Sequence, residues 1–360
     1  MTAHQFLRCL LLAMVVSAAP VHAGRKIIID QDTLGPGGSN LQSVLMLLQA
    51  PDVEVLGITV MTGDGWRDEE VEYLLRCLEL TGHARVPVHA GAVVPLVNSA
   101  ARLQAWERRY GALVYRGAWS AASPDHERHT DPAVIPPSPL GRPTIRAADG
   151  TAANFMVRSV RRYPGEVTIW SGGPLTNVAL AARLDPQFAS LARELVFMGG
   201  SFNPVPADNH FAAEYANSPR REFNLRFDPE AATLVLHEPW RRIVQVPIDP
   251  TTATYFRPEL YDEIARGRRP SASYVARWGR QFPMWDELAA AVWLDPSIVT
   301  RRDSLLVDVD SADGASYGDT LSWPVGKGPG LGEREVEVVR SVDVPRLERM
   351  TVKLLGGTAP

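Results

Sequence analysis

Apolar residues fall into two alternating patterns along this chain: short continuous runs, and longer stretches where they recur every three or four positions. Ile27-Ile28-Ile29 is a continuous β-branched run and reads as a strand buried on both faces. Leu41, Val44, Leu45 and Leu48 then share one helical face, which Pro51-Asp52 ends. Val53 to Val60 reads as a second buried strand, Arg67 to Leu80 as an amphipathic helix closed by Gly82, and Val86 to His89 as a short third strand. The alternation resumes with a helix over Ala152 to Tyr163, a strand over Glu166 to Trp170 and a helix through Arg183. A strand follows over Glu194 to Met198, then a helix whose first position is Pro229, and a strand over Ile243 to Ile248. Helices are expected over Arg257 to Arg266 and up to Leu294. Strands with a hairpin follow from Leu305, and a final helix near Arg346. Alternating strands and helices, with strands apolar throughout, predict an α/β fold: an open, mostly parallel, Rossmann-like sheet with helices on both faces.

Residues 98–146 break the rhythm with Pro, Ser, Arg and the aromatics Trp106, Tyr110, Tyr115 and Trp119. An excursion of that length is expected to be a lid over a crevice, or else a plain surface loop. Ser201 to Arg221 is a second irregular stretch. No internal repeat or domain boundary interrupts the rest, so residues 24–360 are expected to form one domain. Before it, Arg8, the apolar run Cys9 to Ala19 and the small-residue end Val21-His22-Ala23 form a secretory signal over residues 1–23, which predicts an exported protein, periplasmic or secreted.

Composition narrows the choice of partner. Apolar residues make up 45% of the chain and charged ones 22%, as in soluble globular proteins, and a net charge of −4 gives no reason to expect nucleic acid. No apolar segment after the leader is long enough to span a membrane. Cys77 is the single cysteine left after the leader, and its apolar helical setting predicts a core position.

Candidate chemistry begins at Asp30-Gln31-Asp32, where the first strand runs into a glycine-rich turn. Carboxylates two residues apart on an extended chain point the same way, and at the carboxyl end of a strand that direction is the usual ligand crevice. Crowded like charges call for a cation or a proton between them, so a hard metal with oxygen ligands is expected. Gly35-Pro36-Gly37-Gly38 lacks the Lys-Ser/Thr of a phosphate-binding loop. Further turns at strand ends or helix starts are Gly63-Asp64, Gly172 to Asn177 and Asn217 to Asn224, with Trp285-Asp286. The histidines show no metal spacing, and His126 and His129 sit in the long loop.

Four segments, in order, resemble the nucleoside hydrolases of the inosine–uridine type. They are Val55-Leu56-Gly57-Ile58-Thr59, Gly173-Pro174-Leu175-Thr176-Asn177-Val178-Ala179-Leu180, Met198-Gly199-Gly200, and Glu222-Phe223-Asn224 with Asp228-Pro229-Glu230-Ala231-Ala232. The resemblance covers most of the chain after the leader. It implies a nucleoside hydrolase fold, hydrolysis of the N-glycosidic bond of ribonucleosides by a calcium-bound water, a small-molecule nucleoside as partner, and a homo-oligomer. Asp30 and Asp32 match the first two aspartates of that family's acidic loop, and Asp32 matches the one that is both metal ligand and general base. Thr176 matches the residue whose backbone carbonyl binds calcium, and Asp286 matches the C-terminal aspartate ligand. Glu222, Asn224 and Asn217 match ribose contacts. Trp285 stands where broad-specificity members carry His near the leaving base, and an indole stacks on a purine, so purine preference is the expectation.

The acidic loop itself departs from the family. Its closing Asp-Asp pair falls here on Ser39 and Asn40, on a lengthened loop. Asn40 can offer a carbonyl oxygen to a hard cation, and Ser39 can hydrogen-bond a ribose hydroxyl. Asp64, where the family usually has Asn, is expected to restore one charge beside the ion and to line the substrate site. Taken alone, Ser39, Asn40 and Asp286 also suit helix N-caps, Glu222 a surface ion pair, and Trp285 a core aromatic. Two rival readings remain: a nucleoside- or sugar-binding protein of the same fold with weakened catalysis, and a phosphatase of the haloacid dehalogenase type suggested by Asp30-Gln31-Asp32-Thr33-Leu34.

Overall fold

The computed structural model describes residues 24–120, 129–204, 220–252 and 254–357. The expected leader, His126 and Asn217 lie outside the described residues. Nine strands form one sheet: β1 (Arg25–Gln31), β2 (Val53–Val60), β3 (Val88–Ala90), β4 (Val167–Ser171), β5 (Glu194–Met198), β6 (Ile243–Val246), β7 (Val299–Val309), β8 (Thr320–Pro324) and β9 (Glu335–Val342). Their order is β3-β2-β1-β4-β5-β6-β9-β7-β8. All neighbours from β3 to β9 pair parallel, and β7 runs antiparallel to both β9 and β8.

The sequence explains why β1 lies near the middle. Ile27, Ile28 and Ile29 are each 0% exposed. Ile27 and Ile29 enter one core, which also takes Leu41, Val44 and Leu45 from helix Ser39–Gln49 and Leu288 to Trp293 from helix Trp285–Leu294. Ile28 enters the other, with Met156, Val178 and Val235 from the helices on the opposite face. Strand alternation thus spends this run on both cores, and burying each isoleucine contributes about 1.5–3 kcal/mol. From β1 the chain steps outward to β2 and β3, then returns to place β4 on the other side of β1. That reversal opens a crevice at the carboxyl ends of β1 and β4.

Several boundaries differ from expectation. The third strand is Val88–Ala90, and β6 stops at Val246 because Ile248–Thr251 forms a helical turn. Strand β7 starts at Val299, ahead of the expected Leu305. Helix Pro270–Trp278 was not legible, since proline opens it and its buried positions, Ser271, Ala272, Tyr274 and Val275, include one polar residue among a few apolar ones.

The excursion at 98–146 is not irregular throughout. It contains helix Ala100–Tyr110, N-capped by Ser99, and a 3-10 turn at Gly117–Trp119. That turn is docked onto the body: the Ala118 N–H donates to the Gly63 carbonyl at 2.9 Å, and Trp119 stacks on Phe227 with centroids 4.3 Å apart. Gly117 has φ +57°, and a Cβ there would lie 2.3 Å from the Gly63 carbonyl oxygen, so only glycine allows the approach. Residues 117–119 of the excursion thus pack against the turn after β2 and against Phe227. Cys77 is fully buried, as its helical pattern predicts. Among the described residues, no helix is long and apolar enough to cross a membrane.

Candidate active site

Asp32 follows directly on β1 and is 1% exposed. Glycine at two positions lets the backbone close on its carboxylate. A Cβ at Gly63 would lie 2.1 Å from Asp32 Oδ2, and one at Gly173 would lie 2.8 Å from Oδ1. The Asp64 N–H donates to Asp32 Oδ2 at 3.0 Å, and Asn40 Nδ2 donates to Oδ1 at 3.0 Å. Asn40 Nδ2 also reaches the Asp32 carbonyl and, at 3.2 Å, Asp64 Oδ2. Asp64 thus stands directly against Asp32. Its other oxygen, Oδ1, accepts from the Tyr115 hydroxyl at 2.8 Å.

Asp286 closes the group from the first turn of helix Trp285–Leu294. Its Oδ2 accepts from Gln31 Nε2 at 3.2 Å, while Gln31 Oε1 accepts the Asp32 N–H at 2.9 Å. Burial pushes the Asp32 carboxyl well above the usual range, and Asp64 and Asp286 push it further. Asp286 is raised in the same way by burial, then by Glu287, Asp64 and Glu222. Glu70, fully buried, is raised by burial and then chiefly by Asp32. Its Oε1 accepts from the Gly65 N–H at 2.6 Å, and its Oε2 is buried without a partner. Asp32 and Asp64 share the Asn40 amide and repel one another, a charge that a hard divalent cation suits, but the carboxylates of Asp32, Asp64 and Asp286 do not all lie within 4.8 Å of one another, so these side chains must draw together to hold one.

Asp30 has a different place from that expected of a ligand. Its Oδ1 accepts from the Thr59 hydroxyl at 2.6 Å and Asn177 Nδ2 at 2.9 Å, and Oδ2 takes the Ser171 hydroxyl at 3.5 Å. Burial lifts its carboxyl to about 7 against those hydrogen bonds. Asp30 therefore ties β1 to β2 and β4 beneath the site. Ser39 is likewise committed elsewhere: its hydroxyl accepts the Asp286 N–H at 2.8 Å and donates to Glu287 Oε2 at 2.5 Å. It caps helix Trp285–Leu294 and sets Asp286, in place of the expected ribose contact. Asn40 turns its amide nitrogen to the acids, because two carboxylates demand a donor. It must turn over to present the expected oxygen.

Thr176 opens helix Thr176–Leu184 after the Gly172-Gly173 turn, and its hydroxyl donates to Asp228 Oδ2 at 2.7 Å. Glu222 caps helix Phe223–Phe227, taking the N–H groups of Asn224 at 2.8 Å, Leu225 at 3.1 Å and Gly200 at 2.9 Å. Its charge also raises the Asp286 carboxyl, after burial, Glu287 and Asp64. Asn224 Nδ2 donates to the Gly172 carbonyl at 2.7 Å and the Met198 carbonyl at 3.2 Å, joining the turns after β4 and β5. Any substrate contact from Asn224 falls to its oxygen. Trp285 lies beside Asp286, its ring 6.0 Å from that of Phe282.

Gln31, Glu70, Tyr115 and Asn177 were missed as site residues. Asn177 lay inside a motif already singled out, and Tyr115 among the aromatics of the excursion. A separate group that could hold a metal, His237, Asp308 and Glu333, shares no residue with the cluster around Asp32.

The family model described as inosine-uridine preferring nucleoside hydrolase matches residues 27–349. An uncharacterized protein of Schizosaccharomyces pombe is 30% identical over 90% of this chain and 83% of its own. A probable uridine nucleosidase of Oryza sativa subsp. japonica is 29% identical over 92% of this chain and 96% of its own. A solved plant nucleoside hydrolase superposes with a TM-score of 0.69 at 23% identity, covering 93% of this chain and 99% of that one. The matched span holds every acid of the cluster, and the chain belongs to the inosine-uridine preferring nucleoside hydrolase family, as an N-ribosyl hydrolase.

Proposed function

We propose that this site cleaves ribonucleosides to free base and ribose with Asp32 as general base, in a calcium-dependent pocket, and that it prefers purine nucleosides. The observation that carries the reading is the position of Asp64 against Asp32. It adds a carboxylate to the acid cluster in a chain where Ser39 and Asn40 occupy the family's acidic pair. The residues suited to the cation are Asp32, Asp64 and Asp286, with the Asn40 oxygen after an amide turn and the Thr176 carbonyl. When bound, calcium offsets their charge and lowers the pKa of a water in the site.

The chain's own groups do the rest. Asp32 receives the proton of the attacking water, and its two oxygens are held in place by Asn40 and the Asp64 N–H. The sugar passes through an oxocarbenium-like state, which the surrounding carboxylates stabilise by their negative charge. Asn224 and Glu222 are the residues we assign to the ribose hydroxyls, and the family resemblance adds Asn217, outside the described residues, as a further contact. Trp285, with its ring 6.0 Å from that of Phe282, is the aromatic we assign to stacking on the leaving base, and a stacking indole is the support for a purine. The printed name of the rice relative points instead to uridine for that protein. The charged and apolar run at the N-terminus supports an exported location, and the family supports a homo-oligomer.

A second reading is favoured by Asn40. Its amide bridges Asp32 and Asp64 without a cation, which suits a weakened hydrolase that binds nucleosides more readily than it turns them over. The test is a panel of purine and pyrimidine ribonucleosides assayed for free base, with calcium or with chelator. Base release that needs calcium and is fastest on purines supports the main reading. Tight binding with negligible base release supports the second, and release untouched by chelation removes calcium from the account.

A further inference from the structure

Asp64 reaches the acid cluster from the turn after β2, where it is half-buried between the buried Gly63 and Gly65. A carboxylate on such a turn has rotational freedom that a metal ligand must lose. The excursion supplies the constraint. The Tyr115 hydroxyl donates to Asp64 Oδ1 at 2.8 Å, while Oδ2 is left facing Asn40 Nδ2 at 3.2 Å.

Tyr115 is itself held from three sides. Its ring meets Phe223 edge-on at 5.0 Å, its carbonyl accepts from Arg226, and two residues on, Gly117 and Ala118 dock on the Gly63 carbonyl. Phe223 and Arg226 belong to the helix that Glu222 caps, beside the ribose-contact residue Asn224. Arg226 also stacks over Phe223 at 5.2 Å. The phenol is thus positioned by the same helix that positions Asn224.

We propose that Tyr115 is a positioning residue for the cation pocket: its hydroxyl fixes one oxygen of Asp64 so that the other faces Asn40, which makes the Tyr115 to Trp119 stretch of the excursion a built-in wall of the site. This rests on the calcium reading above. It assigns the excursion a task in metal binding, and it explains why Gly63 and Gly117 make close backbone contact. A hydrogen bond of this kind behind a ligand typically changes metal affinity by about 10–100-fold.

The test is calcium binding by titration calorimetry on the mature protein, repeated with terbium(III), whose higher charge keeps weakened sites measurable. Tyr115→Phe keeps the ring against Phe223 and the carbonyl to Arg226, and removes only the hydroxyl. It is expected to weaken both ions about 10–100-fold, and to reduce the rise in Tm that calcium gives while leaving the metal-free Tm within a degree or two. In an Asp64→Ala background, Tyr115→Phe is expected to change nothing, because its acceptor is gone. Unchanged affinity in Tyr115→Phe, with the parent binding calcium, overturns the role of Tyr115 and leaves the calcium reading standing. An equal loss with and without Asp64 shows that the tyrosine acts through general structure, and also overturns it. A parent protein that binds neither ion removes the calcium reading, and this inference with it.

Discussion

Gln31 donates to the Asp286 carboxylate at 3.2 Å across a separation of 255 residues, while its other end accepts the N–H of Asp32 at 2.9 Å. One neutral amide therefore couples the first strand's acid to the C-terminal acid, and it is 0% exposed. Gln31→Leu leaves a buried N–H and a buried carboxylate oxygen without partners, which costs about 1–3 kcal/mol. Chemical denaturation is expected to show that loss, together with weaker calcium binding. Gln31→Glu adds a further carboxylate beside Asp286. It is expected to be the less stable of the two without metal and to recover more on adding calcium. Equal stability of Gln31→Leu and the parent contradicts the coupling.

Gly63 carries a sharper geometric demand. Its missing Cβ would lie 2.1 Å from Asp32 Oδ2, so Gly63→Ala must move the carboxylate, the turn or both. A displacement near 1 Å of a catalytic group can cost about 10²-fold in rate. Base release by Gly63→Ala is expected to fall by about that factor. Gly314→Ala is the control, because a Cβ there meets nothing within 4 Å. A Gly63→Ala variant with parental kcat/KM shows that Asp32 is not held where the account needs it.

The return of the excursion depends on Glu79. Its carboxylate accepts the Thr144 N–H at 2.7 Å, the Ile145 N–H at 2.9 Å, the Thr144 hydroxyl, and Arg76 at 2.8 Å. Burial alone raises its pKa, but these donors outweigh it and bring it down to about 2. A carboxylate depressed in the folded state contributes stability above its unfolded pKa, here 4.5, and loses it as pH falls toward about 2. The stability gap between the parent and Glu79→Gln is therefore expected to be full at pH 6 and to close between about pH 4.5 and pH 2. A gap that widens in acid contradicts this sign. Limited proteolysis within 98–146 should follow the same trend.

Trp285 governs the leaving base in this account. Base–aromatic stacking is worth about 1–3 kcal/mol, so Trp285→Ala is expected to lower kcat/KM for purine nucleosides about 10-fold or more and to spare pyrimidine nucleosides. A uniform loss on both classes makes Trp285 a packing residue only.

The strands and the Asp-x-Asp motif were legible because each follows from local pattern. Ile27-Ile28-Ile29 can only be a strand covered on both faces, and Asp32 follows it into the crevice. Asn224 lies in one of the family segments, whereas Asp286 lies in none of the four and follows from the resemblance alone. The partners of Ser39, the Asp286 N–H and Glu287, are not legible locally because they lie 247 and 248 residues away. Tyr115 and Gln31 were invisible for the same reason. Nothing in the residues around Tyr115 shows that Gly117 lets the excursion close on Gly63. The phosphatase alternative ends with the family match, and Asp30 instead braces β2 and β4.

The central claim is that Asp32 accepts a proton within a cation pocket. The most direct measurement is base release from a purine nucleoside by Asp32→Asn beside the parent, in calcium, with nucleoside binding followed by calorimetry. The account predicts that turnover falls about 10²–10⁴-fold while nucleoside binding persists. Turnover within a few-fold of the parent would contradict it.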